Sequence, residues 1–303
     1  MAGVQISGSR VLLTGASSGI GRELAKQLAA RGAVLAISAR RRSLLESLAG
    51  EIAANGHVPP IVVDADLSQR GAARALASDA EQALQGVDVL VNNAGGGVGG
   101  TIAAIGDRDE GREAFETNYW SPLALINALA PAMTERGSGA IVNVTSMAQV
   151  SSWIGFGGYA ATKAALGLAT ETLAMELSHS GVLVMEVMPG PIDTAVQGET
   201  RLAPGIERML ARSPLGDPAV MARLVAEALE RGKTRVVYPR RARLAYLLPA
   251  LVRWDTRRLA ARTVKEMDSD TRDAFWSLVV RTGAMGDEVT REAREAWDRR
   301  DTA

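Results

Sequence analysis

Short apolar runs recur along the first 240 residues. Each is followed by a glycine or polar turn and then by a stretch with helical spacing. Residues 11–14, 34–38, 58–63, 87–91, 140–144, 182–187 and 236–238 read as seven buried strands. Residues 22–31, 43–54, 69–84, 108–136, 159–179 and 217–231 carry the 3.6-residue period of helices that bury one face. Pro122 predicts a local kink in the fourth of these helices. Strands that alternate with helices predict a parallel sheet covered on both faces, so the fold class is α/β and doubly wound.

Beyond this pattern the periodicity changes. Residues 195–214 show none and are punctuated by Gly198, Pro204, Gly205 and Pro214, so they read as a long lid-type loop. Residues 240–262 hold seven arginines and one acid among leucines, Tyr246 and Trp254. They predict a helix that covers the domain or closes a subunit contact. A peripheral membrane segment is the less favoured reading, because Pro249 interrupts the pattern. The division predicted is an α/β domain over residues 1–240 and a helical extension over 241–303.

Composition narrows the function. The chain has 303 residues, is 47% hydrophobic and 22% charged, and can bury a sizeable core. Its 34 basic and 34 acidic side chains balance, which argues against nucleic acid as a partner. With no cysteine and two distant histidines, thiol catalysis and a cysteine or histidine metal site are not expected. No apolar run reaches membrane-spanning length and no signal peptide is visible, so a cytoplasmic protein is expected.

The chemistry gathers at the predicted strand ends. The run at 11–14 leads into Gly15-Ala-Ser17-Ser18-Gly19-Ile20-Gly21 and then a helix. Glycines there permit a tight turn and let backbone N–H groups approach a pyrophosphate at the helix start. After the second strand, Ala39 stands where an NAD site places an acid, and Arg40 follows, which suits a 2′-phosphate. Asp66, at the third strand's end, can accept from an adenine amino group or cap the next helix. The fourth strand runs into Asn92-Asn93-Ala94-Gly95 and a glycine-rich loop whose backbone could lie against a cofactor. Ser146 closes the fifth strand. Tyr159 and Lys163 share a helix face, one turn apart. An ammonium beside a phenol favours the phenolate, so this pair predicts an acid/base tyrosine with a lowered pKa.

Taken in this order, the motifs resemble the short-chain dehydrogenase/reductase family in its single-domain Rossmann form. The matching residues are Thr14-Gly15-x-x-x-Gly19-x-Gly21, Asp66, Asn92-Asn93-Ala94-Gly95, Asn118, Ser146, Tyr159-x-x-x-Lys163, and Pro189-Gly190 with Thr194; the resemblance spans roughly residues 8–240. It implies a seven-stranded sheet and an oxidoreductase moving a hydride between a nicotinamide and a carbonyl or secondary alcohol.

The resemblance also implies roles. Asn118, Ser146, Tyr159 and Lys163 would be catalytic, with Ser146 binding the carbonyl oxygen, Tyr159 passing the proton and Asn118 holding a relay water. Gly15, Ser17, Ser18, Gly19, Ile20 and Gly21 would line the coenzyme phosphates. Arg40, Asp66, Leu67, Asn92, Ala94 and Gly95 would take the adenosine half. Tyr159, Lys163, Pro189, Gly190, Ile192 and Thr194 would take the nicotinamide half. Ser18 departs from the second basic residue of many NADP-using members; Arg40 still favours NADP(H) over NAD(H). Val98, Met147, Val150, Trp153 and Phe156 suggest a hydrophobic small-molecule substrate. A homodimer or homotetramer is implied. The alternative is a dinucleotide-sensing protein on the same fold without turnover.

Overall fold

The computed structural model describes residues 3–98, 102–106, 108–151, 155–192, 215–239 and 242–266. The seven strands are β1 (Arg10–Thr14), β2 (Val34–Ser38), β3 (Ile61–Val62), β4 (Val89–Asn92), β5 (Gly139–Val144), β6 (Val182–Pro189) and β7 (Arg235–Tyr238). They form one sheet in the order β3-β2-β1-β4-β5-β6-β7, every pair parallel. The chain leaves β1 toward β2 and later returns to place β4 on β1's other side. The strand order therefore reverses between β1 and β4, where a crevice opens at the carboxyl ends.

The helices in chain order are α1 (Gly19–Ala29), α2 (Arg42–Ala54), α3 (Ala72–Leu84), α4 (Ile102–Ile105), α5 (Asp109–Phe115), α6 (Ser121–Arg136), α7 (Gly157–Glu176), α8 (Pro218–Glu230), α9 (Ala242–Leu247) and α10 (Pro249–Glu266). The sheet separates two apolar layers, because successive strand residues point to opposite faces. Val11 and Leu13 pack with Leu24, Leu28, Val225 and Leu229 of α1 and α8. Leu12 packs on the other face with Leu76, Leu125, Leu129 and Met133 of α3 and α6. Each such leucine, fully buried, contributes about 1.5–3 kcal/mol.

Several elements depart from the sequence pattern. Expected over 58–63, β3 is only Ile61–Val62, because it is an edge strand led in by Pro59 and Pro60. The helical pattern over 108–136 divides into α5, a π-helical turn (Glu116–Trp120) and α6. Pro122 follows closely on the π-helical turn, and the carbonyl four residues back that its ring crowds, that of Asn118, lies within that turn, so the irregularity falls where a proline disturbs a helix. Pro249 does break the arginine-rich segment, into α9 and α10. Among the described residues, no helix is long and apolar enough to cross a membrane. The predicted lid over 195–214, together with Trp153, Thr194 and residues 267–303, lies outside the described residues.

Candidate active site

Three side chains meet at the end of β5. Ser146 caps a short 3₁₀ turn (Met147–Val150), its hydroxyl oxygen accepting from the Ala148 N–H at 3.1 Å. That leaves the Ser146 proton to be donated elsewhere. Tyr159 lies in the first turn of α7, with the Ser146 hydroxyl near enough to act on its phenol. Phe156 meets the tyrosine ring edge-on, with centroids 6.3 Å apart. Lys163, buried one turn further along α7, donates from Nζ to the Val144 carbonyl at 3.0 Å.

The electrostatics of the pair differ from what its spacing suggests. Lys163 was expected to make the phenol acidic. Burial instead raises the Tyr159 pKa, and the Ser146 hydrogen bond is what opposes the rise. The ammonium stands 6.0 Å from the Tyr159 ring centroid and is engaged by a main-chain carbonyl. Burial also pushes Lys163 itself down, to about 8.

Asn118 occupies the π-helical turn and is fully buried. Its oxygen accepts from Gly96 N–H at 3.0 Å, and its amide donates to Gly96 O at 2.8 Å and to Thr162 Oγ1 at 2.9 Å. Thr162 in turn donates to the Tyr159 carbonyl at 2.8 Å. The side chain thus ties the loop after β4 to the helix of Tyr159, and both its N–H groups are committed. Gly95 fits between Asn118 and Lys163: a Cβ there would stand 3.1 Å from Asn118 Oδ1 and 3.2 Å from Lys163 Nζ.

The crevice wall opposite is the turn from β1 into α1. Gly15 and Gly19 have φ of +70° and +55°, conformations that a side chain disfavours. At Gly21 a Cβ would run into the Gly15 carbonyl and Asn93 Nδ2. Ser18 is the N-cap of α1 but makes no side-chain cap bond, and no acid stands in the first turn. The helix start therefore presents bare N–H groups, which is the chemistry an anionic phosphate needs. Thr14 holds this turn to the next strand, its hydroxyl accepting from Asn93 and Ala94 N–H, each at 3.0 Å.

The residues expected from sequence to meet an adenosine half divide. Arg40 is exposed, and Arg41 donates to Ser17 Oγ at 3.3 Å. Arg42 is committed to Asp64 and Glu46. Asp66 Oδ1 accepts from Ser68 N–H and Oγ, closing a local turn; the N-cap position of α3 is Gly71. Leu67 is buried, its carbonyl accepting from Ser121 Oγ at 2.8 Å. Asn92 donates to Asn143 Oδ1 at 2.9 Å, while its own oxygen is buried without a hydrogen-bond partner. Such an orphaned acceptor at a strand end fits a bound group that carries donors. On the nicotinamide side, Pro189 ends β6, Gly190 N–H donates to the Tyr238 carbonyl at 2.7 Å, and Ile192 is buried.

Comparison with known proteins gives the family and the fold. The family model for short chain dehydrogenases matches residues 9–204. The chain belongs to the short-chain dehydrogenase family. A fatty acyl-CoA reductase of Mycobacterium tuberculosis is 39% identical over 181 residues, which is 59% of this chain and 61% of that protein. The match thus spans about three fifths of that relative's length. A short-chain dehydrogenase from Sphingobium yanoikuyae in complex with NADPH superposes with a TM-score of 0.70 at 28% identity, over 80% of this chain and 93% of that one. One from Burkholderia phymatum in complex with NAD gives 0.72 at 27% identity, over 82% and 97%.

In this short-chain dehydrogenase Ser146, Tyr159, Lys163, Asn118 and Gly95 lie close together beyond the ends of β4 and β5. Val98 and Val150 are buried near the Tyr159 end, and a Cβ at Gly158 would lie 3.0 Å from Val98. Sequence reasoning missed Arg41, Thr162, the hydroxyl of Thr14, and the buried carboxylate of Glu186 behind the Ser146 turn. Arg41 adjoins Arg40 in a basic run and could have been included. Thr14 opens the glycine motif but was given no role there; Thr162 and Glu186 read as ordinary helix and strand positions, and nothing local marks them. Among the described residues, no group of three or more His, Asp or Glu could hold a metal ion.

Proposed function

We propose that this chain is a nicotinamide-dinucleotide-dependent oxidoreductase that interconverts a carbonyl and a secondary alcohol on a hydrophobic substrate. Bound in the crevice, the coenzyme supplies or accepts the hydride. The observation that carries the reading is the pair of neighbouring hydroxyls, Ser146 at the end of β5 and Tyr159 in the first turn of α7, with Lys163 buried one turn further along. Ser146 donates to the carbonyl oxygen and stabilises the charge that develops there. Tyr159 gives that oxygen its proton in reduction and takes it back in oxidation. Because burial holds the phenol above its ordinary pKa, it is protonated at neutral pH and ready to act as the acid.

NADP(H) is the preferred coenzyme. Arg40 and Arg41 stand side by side at the end of β2, and Ala39 leaves no acid to repel a 2′-phosphate. The acyl class of the Mycobacterium relative and the apolar Val98 and Val150 support a hydrophobic carbonyl as substrate. Leu168 and Met175, exposed on α7, suit a homodimer or homotetramer. The site lies within residues 1–240, the unit we assign to catalysis.

The test is NADPH and NADH oxidation against a panel of apolar ketones, for wild type and Tyr159→Phe. Wild type should favour NADPH. Tyr159→Phe should lose at least about a hundredfold in kcat while binding NADPH within twofold of wild type. Unchanged turnover in that variant sinks the proposal.

A further inference from the structure

Glu186 is buried in the middle of β6, on the sheet face that carries the Ser146 turn. A carboxylate in such a place must be satisfied from all sides. Its Oε1 accepts from Gln149 Nε2 at 3.0 Å and, at 3.0 Å, from Thr145 Oγ1, a hydroxyl shared with the Val187 carbonyl at 3.2 Å. These two donors bracket Ser146, one residue before it and three after. Oε2 accepts from Arg235 Nε at 3.0 Å, on the neighbouring strand and in direct register. Arg235 is itself held, by Glu171 of α7 at 2.8 Å and by the ring of Tyr246, 4.6 Å away on α9. Tyr246 donates to the same Glu171 at 3.2 Å. The carboxylate is therefore a fixed point, tied to β7, to the helix of Tyr159 and Lys163, and to the appended helices.

We propose that Glu186 is a positioning residue that sets the Ser146 hydroxyl through Thr145 and Gln149; this rests on the reading of Ser146 and Tyr159 as the reacting pair. A short 3₁₀ turn has few hydrogen bonds of its own, and its first residue must be aimed to within a fraction of an ångström to meet a carbonyl oxygen. A carboxylate oxygen can only accept, so it forces the Gln149 amide to present its N–H groups and the Thr145 hydroxyl its proton. The turn is clamped at both ends by one atom, which a neutral hydroxyl or amide at position 186 would do less strictly.

The alternative is that Glu186 merely neutralises Arg235, and the experiment separates the two. Glu186→Leu, Thr145→Val and Thr145→Ser are compared for kcat, for NADPH affinity, and for hydrogen exchange at the Ala148 amide that donates to Ser146. Thr145→Val should lower kcat about tenfold with NADPH affinity within twofold, and Thr145→Ser should restore it. Ala148 exchange should quicken about tenfold in Thr145→Val and return in Thr145→Ser. Adding Thr145→Val to Glu186→Leu should cost no more than Glu186→Leu alone, since the Thr145 link is one of those that Glu186→Leu already cuts. If Glu186→Leu fails to fold, the Thr145 pair still decides. Wild-type kcat in Thr145→Val, or no rescue by serine, overturns the proposal. Should the wild type bind NADPH but reduce no carbonyl, the catalytic reading fails on its own. Ala148 exchange then decides the positioning, and an unchanged rate overturns it.

Discussion

Lys163 shows how a residue's surroundings can reverse the expectation built on its type. On a bare helix it would be an ordinary ammonium able to tune the tyrosine above it. Burial instead holds it at about 8, below the usual lysine value of about 10.4. Between those two values the unfolded chain binds the proton that the folded chain has released. Stability should therefore rise with pH across that window, by up to about 3 kcal/mol. Urea unfolding of the coenzyme-free protein from pH 7.5 to 10 should show this rise in wild type and not in Lys163→Met. An identical slope in both would place the titrating group elsewhere. Tyr159, Ser146 and Lys163 were legible in the sequence because their spacing along one strand end and one helix is local. The commitment of Asn118 to Gly96 and Thr162 was not, since it joins a loop, a π-helical turn and a helix that lie far apart along the chain.

Among elements, the turn into α1 is the one whose backbone tolerates least. Gly21 lies where α1 passes over Gly15 and Asn93, and the contact is backbone to backbone on one side, which cannot yield as a flexible side chain would. Gly21→Ala should cost about 1–3 kcal/mol and lower Tm by several degrees. It should also weaken NADPH binding, because the displaced helix start carries the N–H groups. Calorimetry and fluorescence titration check both; a variant with wild-type Tm and affinity would show that the approach is not tight. This turn is readable from the spacing of its glycines alone, since all three lie within seven residues. The π-helical turn is readable only as an irregularity beside Pro122, because its register shift leaves no mark in the pattern of apolar residues. Pro249 was readable as a break and became the start of α10.

For the whole molecule, the sheet is pinned at its other end by Asp88. Its carboxylate accepts from Arg10 N–H at 3.0 Å and Nε at 2.8 Å, and Arg136 stands 3.4 Å away. The Arg10 hydrogen bond holds this carboxyl below its ordinary range, against the opposing effect of burial. Because the folded pKa is the lower one, the stabilisation is present above the unfolded value of about 3.9 and is lost as pH falls through the folded pKa. Asp88→Asn should cost about 1 kcal/mol at pH 7, the pair being partly solvated, and the difference from wild type should shrink below pH 4. A gap that stays constant from pH 7 to pH 3 would refute this assignment. The sequence by itself determined the alternation of strands and helices, the glycine turn and the pairing of Tyr159 with Lys163 on one helix face, because each rests on neighbours within a few residues. Tertiary structure alone decided that Glu186 meets Thr145, 41 residues earlier, and that the Tyr159 phenol is raised rather than lowered. Desolvation and long-range hydrogen bonds depend on what packs around a group, and the order of residues does not state that.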